Sequence, residues 1–151
     1  MSAENNKATM RRLYEEVINT GDHDRAEEFI APDMYDHDPS LPENLRHGTE
    51  GFKYFFSMAR EAFPDLQFTI EDMVAEGEKV VTRFTLRGTH EGEFLGIAPT
   101  GKRVEVTGID ITRFSDGKMV EHWANTDDLG MMQQLGAVPE PGEQEGVEPS
   151  H

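Results

Sequence analysis

The run from Val104 to Asp128 constrains this chain more than any other. Apolar and β-branched residues alternate with polar ones from Val104 to Phe114, the period of a strand with two different faces, and a second such run begins at Lys118. Ser115, Asp116 and Gly117 lie between them, so the segment reads as one long hairpin. A three-residue loop pairs Phe114 with Lys118 and sets Asp110 opposite His122, which is the expected register. A two-residue Asp-Gly loop would set Asp110 opposite Trp123 instead.

The rest of the chain supplies elements that could cover such a hairpin. Met10, Leu13, Tyr14, Val17 and Ile18 recur at helical spacing, and Ser2 is placed to cap that first helix. A shorter helix is expected from Asp24 to Ile30, followed by an extended YDHDP segment and a loop set by Pro39 and Pro42. The third helix begins near Thr49 and buries Phe52, Phe55, Phe56, Ala59 and Phe63 before Pro64 stops it. Alternation returns at Leu66, Phe68 and Ile70 and turns near Gly77, and the chain runs back through Val80 to Arg87 as an antiparallel partner. The Gly-rich segment 88–103 is a long connection with room for a short strand at Phe94 and Leu95, and residues 129–135 form a last helix that Asp127 or Asp128 can cap. Helices first and strands afterwards make an α+β fold. The expected shape is a cone, a curved antiparallel sheet closed by three N-terminal helices.

Residues 1–138 form one domain in this reading, and 139–151, rich in Pro, Gly and Glu, form a disordered acidic tail. With 30 acidic and 14 basic residues, nucleic acid and anionic membranes are poor partners. Cysteine is absent, which removes disulfides and thiol chemistry, and charges at Glu4, Lys7, Arg11 and Arg12 interrupt any signal-like apolar run. The expected compartment is the cytoplasm. Apolar and aromatic residues on both faces of the hairpin, Ile109, Ile111 and Trp123 on one and Val106 and Phe114 on the other, call for cover on both sides and hence a homodimer.

Asp110, between Ile109 and Ile111, stands out as a charge in mid-strand, where it must be paired, protonated or functional. His122 is either a base or the partner of Asp110. Asp36, His37 and Asp38 could suggest a metal, but neighbouring extended residues point to opposite sides and no second ligand pair is spaced for chelation, so no metal is expected. Arg113 and Glu121 should pair on the opposite face from Asp110.

The stretch EFLGIAPTGKRVEVTGIDITRFSDGKMVEHW, with LGMMQQLG after it, resembles the SnoaL-like polyketide cyclases over roughly Lys7 to Gly136. The resemblance implies a nuclear-transport-factor-like cone, dimerisation through the outer sheet face, and intramolecular aldol ring closure without a cofactor. In the ring-closing members an aspartate base aligns with position 124 and a histidine with position 110, where this chain carries Ala124 and Asp110. A second resemblance, to ketosteroid isomerases, matches Tyr14, Asp38 before Pro39, and Asp110. In ketosteroid isomerase an apolar site keeps one aspartic acid protonated so that it donates to an oxyanion, and the resemblance places Asp110 likewise. Together these give Asp110, His122, Asp38 and Tyr14 as catalytic candidates. His37, Phe55, Phe84, Val106, Thr112 and Ala124 are the expected wall of a pocket for a small hydrophobic molecule. The expected activity is proton transfer next to a carbonyl; the alternative is a protein that only holds such a ligand.

Overall fold

The computed structural model describes residues 2–139 and Gly142, so most of the expected tail, 139–151, falls outside the described residues. Helix α1 spans Ala3–Leu13, and Ser2 caps it by accepting the Asn5 amide hydrogen at 3.0 Å. Its expected stripe of Met10, Leu13, Tyr14, Val17 and Ile18 is buried throughout. From Tyr14 to Ile18 the hydrogen bonding widens to a π-helical turn, with the Asn19 amide reaching the Tyr14 carbonyl at 2.9 Å. Where a second α-helix was expected there is only a 3₁₀ turn, His23–Glu28, because the chain extends again at Ile30.

That extension is strand β1, Ile30–Asp36, and it corrects the all-antiparallel sheet expected from sequence. Helix α2 follows at Glu50–Ala62, then β2 at Gln67–Glu76, β3 at Lys79–Thr89, β4 at Arg103–Ser115, β5 at Lys118–Thr126 and helix α3 at Asp128–Leu135. The sheet order is β1-β5-β4-β3-β2. The last four strands meander antiparallel, while β1 joins the edge parallel to β5, with Tyr35 beside Glu121 and Asp36 beside His122. The sheet is therefore mixed. Pro32 has no amide hydrogen to give a ladder, and the register slips between Ile30 and Tyr35, as suits an edge strand. The expected strand at Phe94 and Leu95 is a single bridge from Phe94 to Ile97.

On the sheet's inner face, Val80, Phe84 and Leu86 of β3 and Val104, Val106 and Phe114 of β4 are buried in one core with the helices. Gly108 lets this layer close. A Cβ there would sit 2.4 Å from the tip of the Phe84 ring.

Both expected hairpin registers are corrected. Ser115 pairs with Lys118 and Phe114 with Met119, so the loop has two residues, and Asp116 and Gly117 take positive φ of 51° and 81° as a type I′ turn requires. One step further the pairing shifts, Arg113 meets Glu121, and Val120 is left as an extra residue. Asp110 consequently faces Ala124, and Thr112 faces His122. The bulge compensates the short loop by one residue. Asp110 and His122 thus share the inner face, diagonal rather than opposite, while the Arg113–Glu121 pair forms on the outer face at 2.7 Å.

Candidate active site

Between the helices and the inner sheet face lies a cavity of about 450 Å³. Its body is aromatic, with Phe52, Phe55, Phe56, Phe68 and Phe84 on the wall. A chain of polar side chains crosses the β4–β5 end. The Tyr14 hydroxyl donates to Asp110 Oδ2 at 2.8 Å, His122 Nε2 lies 3.5 Å from the same oxygen, and His122 Nδ1 is 3.0 Å from Asp36 Oδ1. Four elements supply it: the π-helical turn after α1 gives Tyr14, β1 Asp36, β4 Asp110 and β5 His122.

The electrostatics follow from that geometry. Burial works against a charge on His122, but its contacts with Asp110 and Asp36 and the negative charge of both outweigh that and hold its pKa up to about 10. His122 is therefore an imidazolium at neutral pH, with a carboxylate at each nitrogen. The Tyr14 phenol is driven well above its ordinary pKa, by burial first and then by the charge and hydrogen bond of Asp110, so it remains a donor. Asp110 Oδ1, Thr82 Oγ1 and Thr112 Oγ1 are sealed from solvent without a hydrogen-bond partner. Thr82 faces Asp110 across the β3–β4 ladder, and Thr112 follows two residues on along the same face of β4.

Of the residues singled out from sequence, Tyr14, Asp110, His122, Phe55, Phe84 and Ala124 meet on the cavity wall. Asp38 reaches the wall too, but its Oδ1 accepts from the Ser40 amide at 2.9 Å and the Ser40 hydroxyl at 2.8 Å, the turn chemistry common for such an aspartate. Three do not line the cavity. Val106 is core, Thr112 lies wholly buried beside Asp110, and His37 points to the outer face, stacked on Trp123 at 4.7 Å and bonded to Glu121 at 2.9 Å.

Sequence reasoning missed Asp36, weighed there only as a metal ligand. Ile30 and Met34 are buried on the same side of β1 as Asp36, but Pro32 and Asp33 between them interrupt the alternation that would have signalled it. Among the described residues no group of His, Cys, Asp and Glu is arranged to hold a metal ion. No helix among them is long and apolar enough to cross a membrane.

Comparison with known proteins gives this geometry a family. The model for SnoaL-like polyketide cyclases matches residues 8–135. The chain belongs to that family. Among SnoaL-like relatives, the nogalonic acid methyl ester cyclase of Streptomyces nogalater is 31% identical over 121 residues, covering 80% of this chain and 90% of that protein. An aklanonic acid methyl ester cyclase of Streptomyces peucetius is 34% identical over 136 residues, covering 84% and 88%. In structure, TsrD of Streptomyces laurentii superposes with a TM-score of 0.81 at 30% identity, over 91% of this chain and 99% of that one. IdmH of Streptomyces antibioticus superposes with a TM-score of 0.77 at 37% identity, over 87% and 98%. The SnoaL-like fold is thus shared along nearly the whole described chain.

Proposed function

We propose that this chain is a cofactor-independent enzyme that forms an enolate from a small hydrophobic ketone or ester and uses it to close a ring or move a double bond. The observation that carries the reading is the Tyr14–Asp110–His122 chain on the wall of an aromatic cavity. Such a reaction needs a base for the carbon-bound proton and a donor for the oxygen that becomes negative. His122 already holds its proton, so it serves as the donor and the base is a carboxylate. At 3.5 Å the contact to Asp110 is long, so the Nε2 hydrogen, fixed in the ring plane, can be shared with a substrate oxygen placed beside Asp110 Oδ2. Asp110 and Tyr14 keep that cation charged and aligned.

No Lys or Arg is among the lining residues, whereas Asp36, Asp38, Asp110 and Asp128 are. A substrate without negative charge suits this wall, and the relatives named for methyl esters, whose acid group is masked, support the same reading. Ala124, which lines the cavity, leaves space beside Asp110. We also place the working form as a homodimer, supported by the apolar residues left on the outer sheet face, with Ile109 half exposed and Val74 more so.

The test is hydrogen exchange at the carbon next to the carbonyl in neutral hydrophobic ketones and β-keto esters. Wild type should catalyse it, and Asp110→Asn and His122→Gln should each lose roughly 10²- to 10⁴-fold. Exchange that is absent, or equally fast in all three, leaves a ligand-binding protein as the better account.

A further inference from the structure

We propose that Asp36 is the carboxylate that takes the carbon-bound proton, through its Oδ2, and that Asp110 is a positioning residue that holds His122. The inference rests on the enolate reading above and asks which of four wall carboxylates can serve it.

Asp110 is committed on both sides. Its Oδ2 receives the Tyr14 hydroxyl and faces His122, and its Oδ1 is sealed from solvent. A substrate carbon would compete with Tyr14 and His122 for Oδ2, and Oδ1 is closed to it by burial. Asp38 has Oδ1 engaged by both donors of Ser40, and Asp128 stands exposed at the start of α3.

Asp36 differs from Asp110 and Asp128 in having one oxygen held and the other free, and from Asp38, whose Oδ2 is likewise without a partner among the described residues, in being buried and bonded to His122. It is 7% exposed and lines the cavity. Its Oδ1 takes the Asp38 amide hydrogen at 2.9 Å and His122 Nδ1 at 3.0 Å, while Oδ2 has no partner among the described residues and is not among the sealed atoms. The carboxylate is therefore fixed by one oxygen and open at the other. Its backbone is equally fixed, since the Asp36 amide donates to the Arg46 carbonyl at 2.8 Å and β1 ends there in register with His122. A base that is held rigidly and presents a free lone pair at the substrate is what carbon deprotonation needs.

The step balances without a co-reactant. The α C–H bond breaks, an O–H bond forms on Asp36 Oδ2, and the electron pair of the broken bond becomes the enolate, whose oxygen accepts the His122 Nε2 hydrogen. Negative charge thus leaves Asp36 on one side of the imidazolium and appears on the other, so the cation is compensated throughout. The proton on Asp36 then passes to the new alkoxide in an aldol closure, or to another carbon in an isomerisation.

The experiment follows deuterium uptake from solvent at the α-carbon of 2-tetralone between pH 5 and 9 in wild type, Asp36→Asn and Asp110→Asn. Binding of 2-naphthol reports that the cavity is intact. The expected result is a loss of about 10²-fold or more in Asp36→Asn at every pH, with 2-naphthol still bound. Asp110→Asn should instead recover as the pH falls and His122 regains its proton. Exchange kept in Asp36→Asn, or restored there to the wild-type rate by low pH, overturns the assignment, since Asp36 would then act only through His122. If Asp36→Asn does not bind 2-naphthol, Asp36→Ala with added formate decides: saturable return of exchange supports the proposal, and no return overturns it. A wild type without exchange removes the enolate reading itself.

Discussion

His122 carries its proton because it lies between two carboxylates, and this has a consequence for stability as well as chemistry. Its folded pKa, about 10, lies above the ordinary histidine value of 6.5, so the folded state binds the proton more tightly than the unfolded chain. The stabilisation is complete below about pH 6.5 and drains away as the pH rises toward 10, at up to about 1.4 kcal/mol per pH unit. Urea unfolding at a series of pH values should show wild type weakening across that window and His122→Gln much flatter. Tyr14→Phe should cost about 1–3 kcal/mol in the same assay, because it takes the 2.8 Å donor from a buried carboxylate oxygen. At this scale the sequence was informative where a polar residue broke an apolar pattern, as at Asp110 and Tyr14. It was silent on Asp36, which is a partner of His122 only because two strands 86 positions apart lie side by side.

Among the elements, what periodicity can express was legible: the stripe of α1, the aromatic face of α2, the β2–β3 hairpin and the Asp127 cap on α3, whose Oδ1 accepts the Gly130 amide hydrogen at 2.9 Å. What depends on one residue of slippage was not. The Val120 bulge leaves no mark in a period-two pattern, yet it moves the partner of Asp110 from Trp123 to Ala124 and keeps His122 facing inward. Strand β1 was hidden because Pro32 and Asp33 interrupt its alternation. The close approach of Gly108 to Phe84 gives a test of how tightly β3 and β4 fit over the cavity. Gly108→Ala should destabilise by about 1–3 kcal/mol in thermal or urea unfolding, and adding Phe84→Leu should recover part of the loss.

For the molecule as a whole, the half-exposed Ile109 predicts that light scattering at micromolar concentration gives twice the protomer mass, and that Ile109→Lys shifts it toward one protomer. The sequence after Glu140 is poor in apolar residues, so removing residues 141–151 should change stability by less than about 0.5 kcal/mol. The parallel seating of β1 on β5 has a different bearing, on the order in which the chain becomes a protein. Asp36 leaves the ribosome long before residues 118–126 exist to pair with it, and at about 5–20 residues per second that wait is on the order of ten seconds. Throughout it, β1 is an unpartnered edge beside nascent helices, and Pro32 and Asp33 are the features that discourage a neighbour's strand from docking there. The chain of Tyr14, Asp110, His122 and Asp36 is then assembled in one late event, when the C-terminal hairpin closes over an N-terminal half that has been waiting for it.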